Sequence, residues 1–504
     1  MSDKTISADL AVTDIADGAA VAITGSGGGL LEADRVFQAI ERRFLETGHP
    51  RHLTLVHALG IGDAKGRGVA RFAHEGMVRR VIGGHWSWAP EMQALARAEK
   101  IEAYTLPAGV ISTLFREIGA GRPGVITHVG LGTFADPRHG GGKVNASATD
   151  DLVEVVSFDG RDYLRYKPFT VDVGIVCGSV ADPRGNISAR HEPGDMDAYA
   201  VALAAHNSGG QVIAQVRERA DGPFVPARDV TIPGVLVDRV VVTPDQHQSY
   251  AGAHDPAMSG EIARSAEAGQ VEQPTGLRRI IAARAARELR PGASVNYGYG
   301  IPGGISALIA DRPDLGLWTT VEQGSHNGEI IDGPLFGATR HAQAIVSSVD
   351  QFDFYSGGGI DIAFLGMGEM DAEGNVNVSQ LGDSVVGPGG FVEITQNAKK
   401  VVFCGAFEAK GLKVACDAGR LVIQSPGGVP KLVEQVRHIT FSGRQARATG
   451  QEVVYVTERA VFRLTEDGIA LVEVADGIDV EQDVLARMGF RPAVADVARA
   501  VVAA

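Results

Sequence analysis

Cysteine, aromatic residues and basic charge are all scarce in this chain of 504 residues. Its 3 cysteines, Cys177, Cys404 and Cys416, have no spacing that fits a zinc site or a disulfide framework. Their scarcity therefore predicts a reducing compartment and no bound metal. Lysine and arginine number 47 against 61 acidic residues, for a net charge of −14. Without a basic run to offset that field, nucleic acid and anionic membrane surfaces are excluded as partners.

Long apolar runs are also missing. No stretch reaches the roughly 18 apolar residues that a membrane-spanning helix needs. The first ten residues, MSDKTISADL, are polar and lack the apolar centre of a secretion signal. We therefore expect a soluble, cytoplasmic protein.

Glycine is the residue in excess. The chain holds 65 glycines, roughly twice the usual share of about 7 %. Because the apolar fraction is an ordinary 44 % and the glycines follow no collagen period, they indicate many tight turns in a folded protein.

The apolar pattern predicts an α/β protein. A helical pattern over 36–44 ends at Gly48, and the short apolar runs around it are typical of parallel strands buried on both faces. Such runs lie at 19–24, 53–58, 362–365, 401–404 and 453–456.

The chain contains an internal repeat. Segment 171–188 matches segment 360–377 at four polar or glycine positions, each pair 189 residues apart: Asp172 and Asp361, Asp182 and Asp371, Gly185 and Gly374, Asn186 and Asn375. Each half begins with a glycine-rich loop, at 25–29 and at 298–304. The first half carries about 84 extra residues between its loop and its Asp-x-x-Gly-Asn turn, and we place part of them at 136–170. Duplication explains this pattern better than chance similarity between two α/β segments.

Two homologous domains follow from the repeat. The polar, turn-prone stretch 254–274 separates them. We predict an N-terminal domain over 1–270 and a C-terminal domain over 275–504, each an open, mostly parallel sheet with helices on both faces.

Glu322 is the first candidate for chemistry. It directly follows a predicted buried strand at 315–321, and open α/β sheets place their ligands at the carboxyl ends of such strands. A solvated loop carboxylate is the alternative. Glu329 and Asp332 are weaker rivals because they follow no strand.

The second candidate is the loop Gly387-Pro388-Gly389-Gly390-Phe391. Since Pro388 has no N–H, the donors that could face an anion or a developing oxyanion are those of Gly387, Gly389 and Gly390. A plain loop is the competing interpretation.

These two motifs resemble those of class I CoA-transferases. Glu322-Gln323-Gly324 resembles their Glu-x-Gly motif, and 387–391 resembles Gly-x-Gly-Gly-Phe. The resemblance, which is closest to the fused acetate/propionate and 3-oxoacid CoA-transferases, covers nearly the whole chain. It also includes VGLGTFADPR and GGGKVN within 129–145, FDFYSGGG at 352–359, NAKKVVFCGAF at 397–407 and ITFSG at 439–443.

The resemblance implies ping-pong transfer of CoA between an acyl-CoA and a carboxylic acid. Glu322 would be the nucleophile and would carry CoA as a glutamyl thioester, with no metal or cofactor. Gly387, Gly389, Gly390 and Phe391 would form the oxyanion and CoA-binding loop. A homo-oligomer, either a dimer or a tetramer, is implied as well.

The chain departs from the family pattern at Ala108, where many relatives have glutamine, at the polar loop 325–328 and at Pro388. These departures suggest an acyl group with an extra polar substituent. The residues predicted to line the substrate pocket are Gly27, Gly28, Ala108, Gly132, His326 and Asn327.

Two other functions stay open at this stage. A thioester hydrolase would use water in place of the acid acceptor, through the polar 325–327 loop. A non-catalytic acyl-CoA-binding protein would fit the loss of glutamine at Ala108, although the presence of both Glu322 and the 387–391 motif favours an enzyme.

Overall fold

The computed structural model describes residues 3–220, 225–264 and 272–502. Two large sheets organise these residues. In order across the first sheet, the strands are Arg239–Val242, Gln211–Arg219, Val173–Ala181, Ala20–Ile23, Leu53–His57, Val78–Gly83 and Glu102–Thr105, all parallel to their neighbours. The short strand Ile187–Ser188 pairs antiparallel with the third of these. The helices of this half are Ala8–Ala11, Asp34–Thr47, Pro90–Arg97, Ala108–Gly119 and Ala198–Asn207.

The second sheet has ten strands and is parallel at its centre. In order they are Ala344–Ile345, Ser325–His326, Trp318–Thr320, Ser294–Tyr297, Ile362–Gly366, Lys400–Cys404, Glu452–Val456, Ala460–Thr465, Gly468–Ala475 and Ala493–Ala500. Its helices are Gly276–Ala285, Gly303–Leu308, Ser348–Ser356, Phe391–Asn397 and Gly443–Thr449. This half also contains separate antiparallel strand pairs outside the ten-stranded sheet. They are Glu329–Ile330 with Thr339–Arg340, Glu369–Met370 with Val376–Asn377, Gln380–Leu381 with Ser384–Val385, Glu408–Ala409 with Val429–Pro430, and Lys413–Asp417 with Arg420–Ser425.

The sheet order confirms the two homologous α/β halves. Five parallel strands of each sheet occur in the same order. The repeated aspartates also make the same bonds: Asp182 accepts the N–H groups of residues 184 and 186, and Asp371 those of residues 373 and 375. Asp172 and Asp361 each accept the N–H of the residue that opens the neighbouring strand, both at 2.8 Å. Asp182 and Asp371 are thus turn formers, as their Asp-x-x-Gly-Asn pattern predicts, and Asp172 and Asp361 lie at strand ends.

The extra residues of the first half lie in two places. Strands Val78–Gly83 and Glu102–Thr105 extend its sheet where the second half has only short antiparallel strands. A separate three-stranded sheet of Val125–Thr127, Arg161–Tyr166 and Val153–Phe158 fills much of the predicted insertion at 136–170.

Each sheet is buried on both faces, as parallel sheets are. Along the central strands, alternate residues enter different apolar clusters: Val21 and Val401 lie in one cluster, whereas their neighbours Ala22 and Val402 lie in two others. The cluster that holds Val21 and Val401 is continuous through both halves. The two sheets therefore share one core layer.

One predicted strand is shorter in the structure, and one predicted domain boundary lies outside the described residues. The predicted strand 315–321 is only Trp318–Thr320, because 313–315 form a 3₁₀ turn and Trp318, near the sheet edge, is 45 % exposed. Residue 270, the predicted end of the first domain, lies outside the described residues, so the two domain ranges stay a prediction.

None of the helices in the described part of the chain is long and apolar enough to cross a bilayer.

Candidate active site

A tight turn at the end of strand Trp318–Thr320 presents Glu322. Residues 321–325 reverse direction, with the Gly324 N–H donating to the Val321 carbonyl and the Val321 N–H donating to the Ser325 carbonyl, both at 3.0 Å. Gly324 has a φ of +106°, and a Cβ there would lie 1.9 Å from the Val346 carbonyl oxygen. The glycine of the Glu-x-Gly motif is therefore required by the turn that projects the carboxylate.

The Glu322 side chain enters a cavity of about 470 Å³ that both halves of the chain line. Its walls are mainly apolar and aromatic, including Leu59 and Trp88 from the first half and Tyr297 and Phe336 from the second. Such a volume and lining are typical of ligand pockets.

Burial changes the chemistry of Glu322. Desolvation raises the pKa of its carboxyl to about 7, and a hydrogen bond from the Gly390 N–H to Oε2, at 2.9 Å, acts in the opposite direction. The carboxylate is thus poorly solvated and held by a single backbone donor, which makes it more reactive than a carboxylate in water.

The rival carboxylates, Glu329 and Asp332, each lie close to an arginine. Glu329 lies 2.7 Å from Arg264, and the exposed Asp332 lies 3.8 Å from Arg278. Neither acid lines the Glu322 cavity.

The glycine loop 387–390 lines the cavity, but its N–H groups do not converge on one point. Gly387 donates to the Ser379 carbonyl at 3.0 Å, and Gly389 donates to the Gly84 carbonyl at 2.8 Å. Only Gly390 donates to Glu322. The prediction of three converging donors is therefore wrong, because two of them are used to fix the loop itself. Phe391 opens the next helix, lines the cavity and stacks on Phe403 at 5.9 Å.

Three backbone hydrogen bonds attach this loop to the first half, and we call them the inter-half clamp. Gly389 donates to Gly84, Trp86 donates to Val386 at 2.8 Å, and Ala108 donates to the Gly389 carbonyl at 2.9 Å. Ala108 is fully buried and does not line the cavity. Its predicted place in the substrate pocket is corrected: it contacts the active-site loop through its backbone, as the first residue of helix Ala108–Gly119.

The predicted pocket glycines are not brought together around Glu322. A Cβ on Gly27 would meet the Trp88 indole at 2.4 Å, and one on Gly28 would meet the Pro334 carbonyl at 2.5 Å. Both are packing positions beside the cavity, and of that loop it is Ser26 that lines it. Gly132 packs against Gln445 near a separate cavity.

His326 and Asn327 stabilise the turn after Glu322 rather than lining its cavity. The Trp318 indole N–H donates to His326 Nδ1 at 2.9 Å, and the Thr319 N–H donates to Asn327 Oδ1 at 2.8 Å. Neither side chain lines the cavity around Glu322, because these hydrogen bonds hold them against Trp318 and Thr319.

Sequence reasoning missed two residues near Glu322. His85 lines the cavity, and burial lowers its pKa to about 4. Glu393 is 1 % exposed, accepts the Val110 N–H at 2.9 Å, and has its pKa raised to about 8, chiefly by burial and further by Glu322. His85 follows strand Val78–Gly83, so the strand-end argument used for Glu322 could have found it.

One group in the described ranges has ligand atoms close enough for a metal: His191, His254 and Glu261. The two imidazoles lie 3.0 and 3.2 Å from Glu261 Oε1. Arg190 donates to His191 Nε2, so one of the candidate ligand nitrogens already has a hydrogen-bond partner. It does not line the Glu322 cavity.

Sequence comparison with known proteins shows which family the chain resembles. Residues 5–243 match the family model described as coenzyme A transferase. The chain is 43 % identical over 501 residues to caffeate CoA-transferase of Acetobacterium woodii, covering 97 % of this chain and 95 % of that protein. It is 39 % identical over 493 residues to acetate CoA-transferase YdiF of Escherichia coli K12, covering 97 % of this chain and 92 % of that protein.

Comparison with solved structures gives the same family as the sequence comparison. The crystal structure of the acyl-CoA transferase YdiF from Escherichia coli O157:H7, in a thioester complex with CoA, superposes with a TM-score of 0.93 at 37 % identity and covers 99 % of this chain and 95 % of that one. The chain therefore belongs to the coenzyme A transferase family and is a CoA-transferase.

Proposed function

We propose that this enzyme moves CoA from an acyl-CoA to a carboxylic acid by a ping-pong reaction through a glutamyl-CoA thioester on Glu322. The observation that carries the proposal is the Glu322 carboxylate itself. It is desolvated, held by the Gly390 N–H, and projects into a cavity lined by both halves. Acyl-CoA and the acid are the partners, and the reaction needs no cofactor.

The steps balance without water. The Glu322 carboxylate attacks the thioester carbonyl, the C–S bond of the resulting tetrahedral adduct breaks, and CoA leaves as a thiolate, which gives an acyl-glutamyl anhydride. The thiolate attacks the glutamyl carbonyl, which releases the acyl group as a carboxylate and leaves the glutamyl thioester. An acceptor carboxylate then reverses both steps and regenerates Glu322. Exclusion of water protects the anhydride, and the apolar walls supply that exclusion.

The cavity favours an apolar or aromatic acyl group. Its wall includes Trp88, Tyr297, Tyr299 and Phe336. The polar acyl group inferred from sequence relied largely on Ala108 and loop 325–328, whose side chains do not line this cavity. We therefore propose an aromatic acyl substrate, a class that also appears in the name of the relative caffeate CoA-transferase.

A substrate panel tests the acyl group. We expect cinnamoyl-CoA-type thioesters to have a higher kcat/KM than acetyl-CoA. Trp88→Ala should reduce that preference, because it removes an aromatic wall. An enzyme that prefers acetyl-CoA, as the name of the relative YdiF suggests for that protein, would refute the aromatic assignment.

Peptide mass analysis tests the mechanism. Incubation with acyl-CoA should leave CoA on the peptide that carries Glu322, and added carboxylic acid should discharge it. Glu322→Gln is the matched control, since it keeps the side-chain size and removes the nucleophile. An adduct that survives this substitution would contradict the assignment. Steady CoA release without acceptor would instead indicate a thioester hydrolase, and absence of both adduct and turnover would indicate binding alone.

A further inference from the structure

The proposed reaction creates a negative oxygen for which the glycine loop has no free donor. When Glu322 attacks, the thioester carbonyl oxygen becomes an oxyanion that needs hydrogen-bond donors. The N–H groups of Gly387 and Gly389 are bonded to backbone carbonyls, and the N–H of Gly390 is bonded to Glu322. A donor from another part of the cavity wall is therefore required.

His85 is placed beside the attacking carboxylate. A Cβ built on Gly389 would lie 3.8 Å from Glu322 Oε1 and 3.9 Å from His85 Cδ2, so the imidazole and the carboxylate flank the same glycine. The Nδ1 side of the ring packs against Gly60, where a Cβ would lie 2.4 Å away. Cδ2 is the ring atom nearest Gly389, and the Cδ2–Nε2 bond lies across the ring from Nδ1, so Nε2 is on the ring edge away from Gly60.

The backbone around His85 is fixed by the inter-half clamp. Its neighbours on both sides take part, through the Gly84 carbonyl and the Trp86 N–H. The clamp therefore sets the distance between His85, which comes from the first half, and Glu322, which comes from the second.

The imidazole of His85 is an available neutral donor. Its burial, with a smaller contribution from His57, holds its pKa near 4, so it is uncharged at neutral pH and carries one N–H. Within the described ranges, no side chain or backbone group forms a hydrogen bond with its ring.

We propose that His85 donates its ring N–H to the acyl carbonyl oxygen during attack by Glu322 and stabilises the tetrahedral oxyanion. The inference rests on the proposed function of Glu322. No proton moves: the N–H stays on the ring while the tetrahedral carbon collapses and expels the thiolate.

Tyr297 is a competing donor in the same cavity, since its buried hydroxyl has no hydrogen-bond partner among the described residues. Its ring stacks on Phe364 at 5.5 Å within the second half. A test of His85 must therefore include Tyr297→Phe, which removes only that hydroxyl.

The test measures the single-turnover rate at which CoA appears on the Glu322 peptide, together with the Kd of acyl-CoA. Loss of an oxyanion donor typically costs about 10²–10³-fold in rate. We expect that loss in His85→Ala with a Kd within a few-fold of wild type, a smaller loss in His85→Gln, which keeps an N–H donor, and a smaller loss in Tyr297→Phe than in His85→Ala.

Several results would overturn the proposal. These are a wild-type adduct rate in His85→Ala, a loss confined to Kd, or a loss in Tyr297→Phe but not in the His85 variants. If His85→Ala does not fold, His85→Leu compared with His85→Gln makes the same test, and equal rates would reject the role. Failure of the proposed function is distinguishable, because wild-type enzyme would then form no adduct on Glu322.

Discussion

Replacing Gly390 with alanine tests whether the position of the Glu322 carboxylate controls the rate. Gly390 has an ordinary φ of −84°, so alanine fits the backbone. The added methyl group, however, would lie 2.1 Å from Glu322 Oε2 and 2.8 Å from the Phe352 ring. Phe352 is buried at 1 % exposure, so the carboxylate is the group that has room to move.

The size of the effect follows from the displacement. Ordinary contact between a methyl carbon and an oxygen is above 3 Å, so the carboxylate must move by about 1 Å or more. A misplacement of about 1 Å can cost roughly 10²-fold in rate, which is about 2.7 kcal/mol of activation free energy. The shift also lengthens or breaks the hydrogen bond from the Gly390 N–H.

The assay is the rate of CoA adduct formation on Glu322, with thermal unfolding measured in parallel. Gly303→Ala is the matched control: Gly303 also lies at the start of a short helix, and a Cβ there would meet nothing closer than 3.7 Å. We expect Gly390→Ala to lose about 10²-fold and Gly303→Ala to keep its rate. A wild-type adduct rate in a folded Gly390→Ala enzyme would refute the positional argument.

Three further predictions concern pH and stability. Because the pKa of Glu322 is about 7, the adduct rate should rise with pH through about 7 and then level off, and a rate that falls over pH 6–8 would contradict this. Glu393 has a folded pKa of about 8 against an unfolded value near 4.5, so its stabilising contribution is complete below pH 4.5 and is lost as the pH rises through 8. Glu393→Gln should therefore gain in Tm relative to wild type between pH 5 and pH 8, and a constant difference would argue against a neutral Glu393. Asp371→Ala should lower the free energy of unfolding by about 1–3 kcal/mol in a urea titration, because it leaves the N–H groups of residues 373 and 375 without their acceptor. Asp182→Ala should cost about as much, and unequal costs would mean that the two repeated turns are not equivalent.

Features set by short segments were predictable from the sequence. Buried parallel strands need apolar residues on both faces, so strands such as Lys400–Cys404 were visible as short apolar runs. The Asp371 turn was visible because its bonds join residues only two and four positions apart. Glu322 could be placed because it follows such a strand and precedes a glycine.

Features that depend on contacts between distant segments were not predictable. The clamp joins Gly84 to Gly389, and no local pattern records which N–H groups it uses. The prediction that three N–H groups of the 387–390 loop converge on one point was wrong for that reason. Nearness to Glu322 in sequence also does not bring the His326 side chain into the cavity, because neighbouring residues of a strand point to opposite faces.

The inter-half clamp makes the chemistry conditional on complete assembly of the chain. The Gly390 N–H that holds Glu322 belongs to a loop whose backbone is fixed by Gly84, Trp86 and Ala108, all made early in synthesis. A second half folded without the first would have Glu322 but neither the fixed loop nor half of the cavity wall. Glu322 would therefore not react with acyl-CoA before the first half has docked. Acyl-CoA would then not be lost to hydrolysis in an incomplete site. Transferase activity in this chain is therefore expected only when both halves are folded and docked.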